Sequence, residues 1–264
     1  MSLDKKIILQ IEEIFDLALN DNRNTLYEYE VYDILKKCGI SVPYYSFIKN
    51  EDEINELTLK KFSNELIIKI VSPQIAHKQK VGGVKKINNT DPLFVKFVIN
   101  QMRKEVLSFY SEADNKPEII GFLLVELVSY TPSLGYEVLL GIKDDPAFGP
   151  VITMSKGGDD AEFFAKYYDP ANLFLPPFTN EESMDILKTL HIRHKFNQIG
   201  HPEYLELIAR AMTKISQLAY SFSIISDQCG KYIIQSLDIN PLVITKDGKF
   251  VAIDGFAEFV VREK

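Results

Sequence analysis

Cysteine is scarce in this sequence, which has two cysteines, Cys38 and Cys229, among its 264 residues. Neither lies in a Cys-x-x-Cys pair or in another spacing that is typical of metal ligands. The sequence therefore indicates neither a disulfide framework nor a zinc site. This cysteine usage is typical of proteins in the reducing cytoplasm, and we expect that location.

Long hydrophobic runs are also missing. No uncharged stretch approaches the roughly 18 residues that a membrane-spanning helix requires. Near the N-terminus, Asp4, Glu12 and Glu13 interrupt the apolar residues, which excludes the hydrophobic region of a signal peptide. We therefore expect no association with a membrane.

An excess of positive charge is absent as well. The chain has 30 Lys and Arg residues against 37 Asp and Glu residues, a formal net charge of -7. Such a chain is not expected to bind nucleic acid, although a local basic pocket for nucleotide phosphates remains compatible with this charge. Neither the P-loop string GxxxxGKS/T nor the Rossmann string GxGxxG is present, so any nucleotide site is of another kind.

The composition, with 46% hydrophobic and 25% charged residues, is that of an ordinary globular protein. Its length allows one large domain or two joined lobes. In the first part, predicted helices alternate with predicted strands, and Thr25 with Glu28 predicts a capping box for the second helix. These helices cover residues 5–19, 26–38, 50–61 and 90–110, and the strands cover 42–48 and a run from Leu66.

In the second part, predicted strands follow one another with short turns, which indicates an antiparallel sheet. These strands cover residues 119–128, 136–142 and 151–154. Two helices, 180–190 and 202–222, and a terminal hairpin over 242–253 complete the prediction. The first helix, over 5–19, is amphipathic, and we interpret it as a packing element rather than a partner-binding one.

The stretch 66–86 joins an apolar strand to a polar loop. Lys69 lies within a β-branched run, so its ammonium is expected to be buried and to need an anion or a carboxylate; the alternative is a lysine at a sheet edge. The loop carries His77, which could equally be a solvated histidine. The adjacent Gly82 and Gly83 allow the backbone to approach a ligand or to form an ordinary turn.

Oxygen-bearing side chains gather near the C-terminal end. Asp238 and Asn240 lie two residues apart in an extended segment, so both point to one face, and the predicted hairpin brings Asp254 beside them. Hard oxygen ligands of this kind suit Mg²⁺. The alternative is a set of polar side chains that cap a turn at the end of a strand.

The stretch KIVSPQIAHKQKVGGV resembles the ATP-grasp module of the ADP-forming acyl-CoA synthetases, of the acetyl-CoA synthetase beta-subunit type. Later stretches are similar to the same family in the same order. They are GYEVLLGIKDDPAFGP (135–150), KGGDDAE (156–162), LDINPL (237–242) and AIDG (252–255). The resemblance covers residues 22–262 and implies an α+β protein with the ATP-grasp fold, two lobes and the nucleotide between them. We expect an amphipathic helix over 1–21, a first lobe over 22–118 and a second lobe over 119–264.

The resemblance also implies a set of site residues. Asn240 and Asp254 match the metal-binding Asn and Asp of the related succinyl-CoA synthetase beta chain at the same separation, and Asp238 joins them as a candidate ligand. The candidate nucleotide-binding residues are Lys69, Gly82, Gly83, Glu126, Leu127, Val128 and Glu137. Among these, the segment 126–128 is the hinge that receives adenine through backbone groups, and Glu137 faces the nucleotide. An ion pair between Glu126 and Lys69 is the structural alternative.

His77 is the catalytic candidate. In the resembling enzymes, the histidine of the His-Lys pair accepts a phosphoryl group and exchanges it between ADP and a histidine of the alpha subunit. An imidazole is nucleophilic near neutral pH, and Lys78, Lys80 and Lys85 would offset the charge of the phosphoryl group. Together with Lys86, these lysines would favour an approaching phosphohistidine. The alternative is a loop histidine that only contacts a phosphate.

The function that the resemblance implies is the ATP-binding (beta) subunit of an ADP-forming acyl-CoA synthetase, an acid–thiol ligase that uses ATP or ADP and Mg²⁺. Its expected partner is a CoA-binding alpha subunit, Rossmann-like and with its own phosphohistidine, in a hetero-oligomer. Two other functions stay open: a self-sufficient ATP-grasp carboxylate ligase and a non-catalytic nucleotide-binding module.

Two departures from the family pattern keep the non-catalytic nucleotide-binding module open. Asp159 and Asp160 occupy positions that are usually apolar, and IRHKFNQIG (192–200) replaces the usual Arg-Gly region. His191 and His194 in this region are expected to be solvated rather than to bind a metal.

Overall fold

The computed structural model describes residues 2–63, 65–75, 77–88, 91–111, 116–133, 135–167, 172–226 and 230–263, without the side chains of Glu162 and Phe164. Within these residues the helices are α1 (Lys5–Asn20), α2 (Glu28–Lys37), α3 (Glu56–Leu59), α4 (Pro92–Phe109), α5 (Ala161–Tyr167), α6 (Asn180–Thr189), α7 (Ile192–Gln198) and α8 (Tyr204–Ser221). The strands are β1 (Thr25–Leu26), β2 (Tyr45–Ile48), β3 (Leu66–Val71), β4 (Val84–Ile87), β5 (Gly121–Glu126), β6 (Glu137–Asp145), β7 (Gly149–Lys156), β8 (Asn172–Phe174), β9 (Tyr232–Ile244), β10 (Phe250–Ala252) and β11 (Phe256–Val261). Short 3₁₀ turns occupy Glu51–Glu53 and Lys78–Val81.

The chain forms two compact units, one made of Met1–Val42 with Ser129–Lys264 and the other of Pro43–Val128. These bounds differ from the expected lobes, 22–118 and 119–264, because strand pairing crosses both expected boundaries. β1 pairs with β11, which ties the N-terminal segment to the C-terminal unit. β5 pairs with β2 and β3, which places it in the unit Pro43–Val128.

The sheet of the larger unit has the strand order β1-β11-β9-β6-β7-β8, and β10 also pairs with β9. Its described strand pairs are antiparallel, as the short turns of the sequence predicted. One face of this sheet packs against apolar residues of α1, α2 and α8 in a single core.

The smaller unit has a sheet with the order β2-β5-β3-β4, again antiparallel in its described pairs. Apolar residues of α4 pack on one face of this sheet. Strand β4 lies within the segment that we expected to be a polar loop, and it pairs with β3 so that Lys69 lies opposite Val84.

The start of α2 differs from the predicted capping box. Thr25 lies in β1, opposite Glu258, rather than at the helix terminus. The helix begins at Glu28, and the Glu30 carboxylate accepts the Tyr27 N–H at 2.7 Å. The cap therefore lies two residues after the predicted one, because β1 uses Thr25 for sheet pairing.

The composition predicted neither a membrane-spanning helix nor a disulfide framework. No helix among them combines the length with the apolar composition that crossing a bilayer requires. Cys38 is a buried free thiol, and burial raises its pKa to about 12. Cys229 lies outside the described residues.

Helix α1 is part of the core of the larger unit, as its amphipathic pattern predicted. Ile11 and Phe15 are fully buried. The Phe15 ring packs at 5.5 Å from the Phe222 ring and at 4.6 Å from the Phe259 ring, measured between centroids. Helix α1 therefore joins α8 and β11 in one apolar cluster.

We predict that Ile11→Ala lowers the free energy of unfolding by about 2–5 kcal/mol, because it leaves a cavity in this core. The control is Leu9→Ala on the same helix, whose side chain is 60% exposed and should change stability by less than about 0.5 kcal/mol. Urea unfolding measures both variants. Equal losses in the two variants would contradict the placement of α1 in the core.

Candidate functional site

One face of the larger sheet is polar where β6 and β9 lie side by side. On β6, Val138 and Leu140 point into the core, so Glu137 points to the opposite face. On β9, Leu237 and Ile239 are core residues, so Asp238 and Asn240 also point away from the core. The structure therefore brings three of the predicted site residues, Glu137, Asp238 and Asn240, to one face.

Asn240 contacts the glycine pair that follows β7. The Gly158 N–H donates to Asn240 Oδ1 at 2.8 Å, and the Gly157 N–H donates to the Glu137 carbonyl oxygen at 3.1 Å. Gly158 has a φ of 89°, and a Cβ on it would lie 2.8 Å from Glu137 Oε1. A glycine is therefore required where this turn closes over Glu137 and Asn240.

Tyr130 completes this arrangement, and the sequence analysis did not identify it. Its hydroxyl donates to Glu137 Oε1 at 3.2 Å. Burial raises the pKa of Tyr130 to about 12, with a further contribution from the Glu137 charge, so the phenol stays protonated as a donor. A tyrosine seven residues before a glutamate is not a known motif, so the sequence alone did not indicate this contact.

Asp254 follows the β9–β10 hairpin, as predicted, and its side chain is exposed. The Ile253 N–H donates to the Pro241 carbonyl oxygen at 3.2 Å. Ile253 precedes Asp254 and Pro241 follows Asn240, so this hydrogen bond joins the two segments that carry the candidate ligands. One Asp254 oxygen accepts the Gly255 N–H at 2.8 Å.

Residues of helix α2 contact the segment that carries Asp254. The Tyr32 hydroxyl lies 2.7 Å from the Ile253 carbonyl oxygen and 2.7 Å from Glu28 Oε1. A Cβ on Gly255 would lie 2.7 Å from the Val31 side chain. No local pattern indicated this contact, because more than two hundred residues separate α2 from Asp254.

The chemistry of the Asn240 and Asp254 oxygens suits a magnesium ion. An amide oxygen has two lone pairs, and Gly158 uses one of those on Asn240, so one remains for a cation. Together with Asp254, it gives the one or two protein ligands that Mg²⁺ takes when substrate phosphates and water supply the rest. The described residues contain no group of three or more His, Cys, Asp or Glu side chains that could hold a metal by themselves.

Asp238, the third candidate ligand, lies opposite Gly141 and Phe256 within the sheet. A Cβ on Gly141 would lie 2.8 Å from Asp238 Oδ1, so the carboxylate lies directly over that glycine. Desolvation by the surrounding sheet raises its pKa, and the Glu258 charge adds to the rise.

The remaining predicted residues lie in the unit Pro43–Val128. Lys69 is buried in β3. Glu126 lies opposite the core residue Leu66 in the β3–β5 register, so these two side chains share one face of the sheet. Lys69 lies three positions after Leu66 on β3, so its side chain points to the other face. The register therefore argues against the ion pair that we considered as the structural alternative.

The hinge segment follows the end of β5. The Glu126 N–H donates to the Tyr44 carbonyl oxygen at 2.8 Å, and the Leu127 N–H to the Glu65 carbonyl oxygen at 3.5 Å. The Val128 N–H has no acceptor within the described part of the chain. A backbone donor is therefore available at the position where the resemblance implies contact with adenine.

His77 precedes the 3₁₀ turn Lys78–Val81, and its side chain is exposed. Its carbonyl oxygen accepts the Lys80 N–H at 3.2 Å. Among the described residues, no hydrogen bond involves the imidazole. An exposed imidazole of this kind is accessible to a reacting group.

Packing accounts for the glycine pair of this loop. Gly82 has a φ of 75°. The Gly83 N–H donates to the Lys78 carbonyl oxygen at 2.7 Å, and a Cβ on Gly83 would lie 2.6 Å from Ile70 Cδ1. The positive φ of Gly82 and the close approach of Ile70 to Gly83 thus each explain why a glycine occupies the position.

Two of the loop lysines have carboxylate partners. Lys85 Nζ lies 2.6 Å from Glu105 Oε2, and Lys86 Nζ lies 3.1 Å from Glu65 Oε1. The positive charge that the sequence suggested around His77 is therefore partly balanced.

The two departures from the family pattern lie on the surface. Asp159 and Asp160 are exposed in the turn before α5. His191 and His194 at the start of α7 are exposed as well, as expected for solvated histidines. The side chain of Glu162, which completes the KGGDDAE motif, lies outside the described part of the chain.

Comparisons with known proteins found a matching family model and similar chains. The family model described as "ATP-grasp domain" matches residues 17–257. The chain is 30% identical to a 4-hydroxybutyrate–CoA ligase [ADP-forming] of Nitrosopumilus maritimus over 90% of its own length but only 31% of that protein. It is 28% identical to the acetate–CoA ligase [ADP-forming] I subunit beta of Pyrococcus furiosus, over 94% of this chain and 97% of that subunit.

A solved structure shows the same fold. It is the dinucleotide-forming acetyl-coenzyme A synthetase 1 of Ca. Korarchaeum cryptofilum, solved with coenzyme A and Ca-AMPCP. The TM-score is 0.72 at 22% identity, and the match covers 95% of this chain and 99% of that one. The ATP-grasp fold expected from the sequence is confirmed.

We predict that Gly158→Ala destabilises the protein more than Gly248→Ala. Both glycines have a positive φ, so both variants carry roughly 1–2 kcal/mol of backbone cost. At Gly158 the new methyl group also displaces the Glu137 carboxylate, whereas nothing lies within 4 Å of the position at Gly248. Urea unfolding should give a difference of at least about 1 kcal/mol. Equal losses would show that Gly158 does not lie against Glu137.

Proposed function

The chain belongs to the ATP-grasp domain family, and from this premise we propose that it is the ATP-binding beta subunit, or the equivalent domain, of an ADP-forming acyl-CoA synthetase. The overall reaction is acyl-CoA + ADP + phosphate ⇌ carboxylic acid + CoA + ATP. In this assignment the chain binds the nucleotide and carries the phosphoryl group, while a second subunit or domain handles CoA.

The observation that carries the proposal is the match with the Pyrococcus furiosus beta subunit. That match covers 94% of this chain and 97% of that subunit. The chain spans about a third of the Nitrosopumilus maritimus relative, which supports the interpretation of this module as one part of a larger enzyme.

The candidate nucleotide-binding residues keep the roles that the resemblance implies. The Lys69 ammonium would pair with phosphate oxygens, as the resemblance implies. The backbone of Glu126, Leu127 and Val128 would receive adenine. The Glu137 carboxylate accepts hydrogen bonds and repels phosphates, so it suits the hydroxyl or amino groups of the nucleoside.

Magnesium is assigned to Asn240 and Asp254, with Asp238 as a third candidate. When bound, Mg²⁺ neutralises charge on the nucleotide phosphates. The chain contributes the orientation of these ligands: Gly158 fixes the Asn240 amide by a hydrogen bond, and α2 supports the segment that carries Asp254.

His77 is assigned as the phosphoryl acceptor. An imidazole nitrogen forms a bond to the γ-phosphorus of ATP as the bond to the β-phosphate oxygen breaks, which gives a phosphoramidate and ADP. The reverse step returns the phosphoryl group to ADP. The exposure of His77 and the lysines of its loop support this role.

A partner follows from this chemistry. The Pyrococcus furiosus relative is itself a beta subunit, which supports an alpha subunit as the partner. We propose a CoA-binding alpha subunit of the Rossmann-like type, whose own phosphohistidine exchanges the phosphoryl group with His77 in a cytoplasmic hetero-oligomer.

The metal assignment predicts that Asn240→Ala combined with Asp254→Ala weakens magnesium-dependent nucleotide binding at least about tenfold, because two oxygen ligands are lost. Titration calorimetry with ATP, in Mg²⁺ and in EDTA, measures the effect. Asp247→Ala removes an exposed carboxylate of the same hairpin and should bind as the parent does. Unchanged magnesium dependence in the double variant would refute the metal assignment.

The catalytic assignment predicts a phosphoenzyme on His77 that is labile in acid and stable in base, as a phosphoramidate is. Incubation with γ-labelled ATP, with and without a candidate alpha subunit, should label the protein and His194→Ala but not His77→Ala. Equal labelling of His77→Ala would place the acceptor elsewhere. Tight ATP binding without labelling of the parent would favour the non-catalytic module.

A further inference from the structure

Asp254 is the middle residue of the three-residue link between β10 and β11. Before it, the Ile253 N–H donates to the Pro241 carbonyl oxygen at 3.2 Å. After it, Phe256 pairs with Asp238 on β9. These bonds fix where the link begins and ends, but they do not set the peptide planes on either side of Asp254.

Helix α2 contacts both neighbours of Asp254. The Tyr32 hydroxyl donates to the Ile253 carbonyl oxygen at 2.7 Å, and this carbonyl belongs to the peptide plane that joins Ile253 to Asp254. On the other side, a Cβ on Gly255 would lie 2.7 Å from Val31 Cγ1. One hydrogen bond and one close packing contact thus hold the backbone before and after Asp254.

The side chains that α2 contributes are themselves fixed. Val31 and Tyr32 are fully buried. Glu28 is 5% exposed, and its Oε1 lies 2.7 Å from the Tyr32 hydroxyl. The phenol oxygen is therefore held by core packing around the ring and by a polar contact at its tip, so its position defines the position of the carbonyl that it contacts.

The Asp254 carboxylate follows the orientation of this backbone. One of its oxygens accepts the Gly255 N–H at 2.8 Å, which ties the side chain to the next peptide plane. A rotation of either neighbouring plane would therefore turn the carboxylate. Mg²⁺ demands near-ideal octahedral geometry with ligands at about 2.0–2.1 Å, so a small rotation of one ligand weakens binding.

We propose that Tyr32 is a positioning residue for the metal site: through the Ile253 carbonyl oxygen, its hydroxyl holds Asp254 in the orientation that binds Mg²⁺. Val31 acts in the same way through Gly255. The inference rests on the proposed assignment of Asp254 as a magnesium ligand. Both side chains act through the backbone rather than on the ion, and contacts of this outer kind tune metal affinity.

The first test is Tyr32→Phe, which removes the hydroxyl and keeps the ring. Titration calorimetry gives the ATP affinity in Mg²⁺ and in EDTA, and the ratio of the two affinities is the magnesium dependence. This ratio should fall about fivefold, as expected for one lost hydrogen bond, while the affinity in EDTA stays unchanged.

The matched control is Tyr232→Phe. Tyr232 is 2% exposed, and its hydroxyl donates to Asp16 on α1. The control therefore loses a comparable buried hydrogen bond, to a carboxylate that has no role in the proposed metal site. It should keep the magnesium dependence of the parent, even if its stability falls as much as that of Tyr32→Phe.

The second test approaches Asp254 from its other side. Gly255→Ala adds a methyl group against Val31, at a position where the glycine does not have a positive φ. The magnesium dependence should fall here as well. Val31→Ala removes the atom that this methyl group meets, so the double variant Gly255→Ala, Val31→Ala should recover it. A purely structural role predicts no such recovery, because Val31→Ala by itself only loses core packing.

Hydrogen exchange gives a readout without metal or nucleotide. The amides of Ile253 and Gly255 should exchange faster in Tyr32→Phe than in the parent, because the local opening of this link costs less free energy. In Tyr232→Phe they should exchange at the parent rate. Equal rates in the parent and Tyr32→Phe would show that the hydroxyl does not hold the link, which overturns the proposal.

The two assignments can fail separately. If Asn240→Ala combined with Asp254→Ala abolishes the magnesium dependence and Tyr32→Phe leaves it unchanged, the positioning role is overturned and the metal assignment stands. If Tyr232→Phe lowers the dependence as much as Tyr32→Phe does, the effect is one of stability and the positioning role is again overturned. If ATP binding by the parent does not depend on magnesium, the metal assignment fails and the positioning role fails with it.

Discussion

The alternation of side chains along β9 is the constraint on which the candidate site depends. This strand pairs with β6, β10 and β11, and it buries Leu237 and Ile239 in the core. Asp238 and Asn240 must therefore point to the other face. A slip of one residue in its register would bury the two polar side chains and expose the apolar ones. The stability of the core and the orientation of the oxygen ligands thus have one physical cause.

The contacts around Glu137 extend this constraint to three further segments. Tyr130 donates to its carboxylate, and Gly158 lies against it while donating to Asn240. Among the described residues, the buried Glu137 therefore has a neutral donor rather than a cation as its partner. A carboxylate has more acceptor positions than one phenol can use, so Glu137 retains capacity for hydroxyl or amino groups of a ligand.

Local patterns predicted the parts of the site that lie within one segment. The spacing of Asp238 and Asn240 predicted their common face, and the Asp247-Gly248 turn predicted the hairpin. The ATP-grasp fold itself followed from the resemblance, not from periodicity. Pairings between distant segments were not predictable. No local pattern indicated that Thr25 would pair with Glu258, or that the Tyr32 hydroxyl would bond to the Ile253 carbonyl oxygen. For the same reason the expected lobe boundaries differ from the compact units.

The lysines around His77 illustrate how a structure changes an electrostatic argument from sequence. Counted in the sequence, four positive charges surround the histidine, but Lys85 and Lys86 pair with Glu105 and Glu65. All four of these side chains are at least 30% exposed, and exposed ion pairs contribute only about 0–1 kcal/mol each. An approaching phosphoryl group can therefore replace the glutamate as the partner of such a lysine. The free energy cost is small, because water screens the ion pair that is broken. Part of the positive charge around His77 is thus balanced at rest, and the paired lysines still offer cations when a dianion arrives.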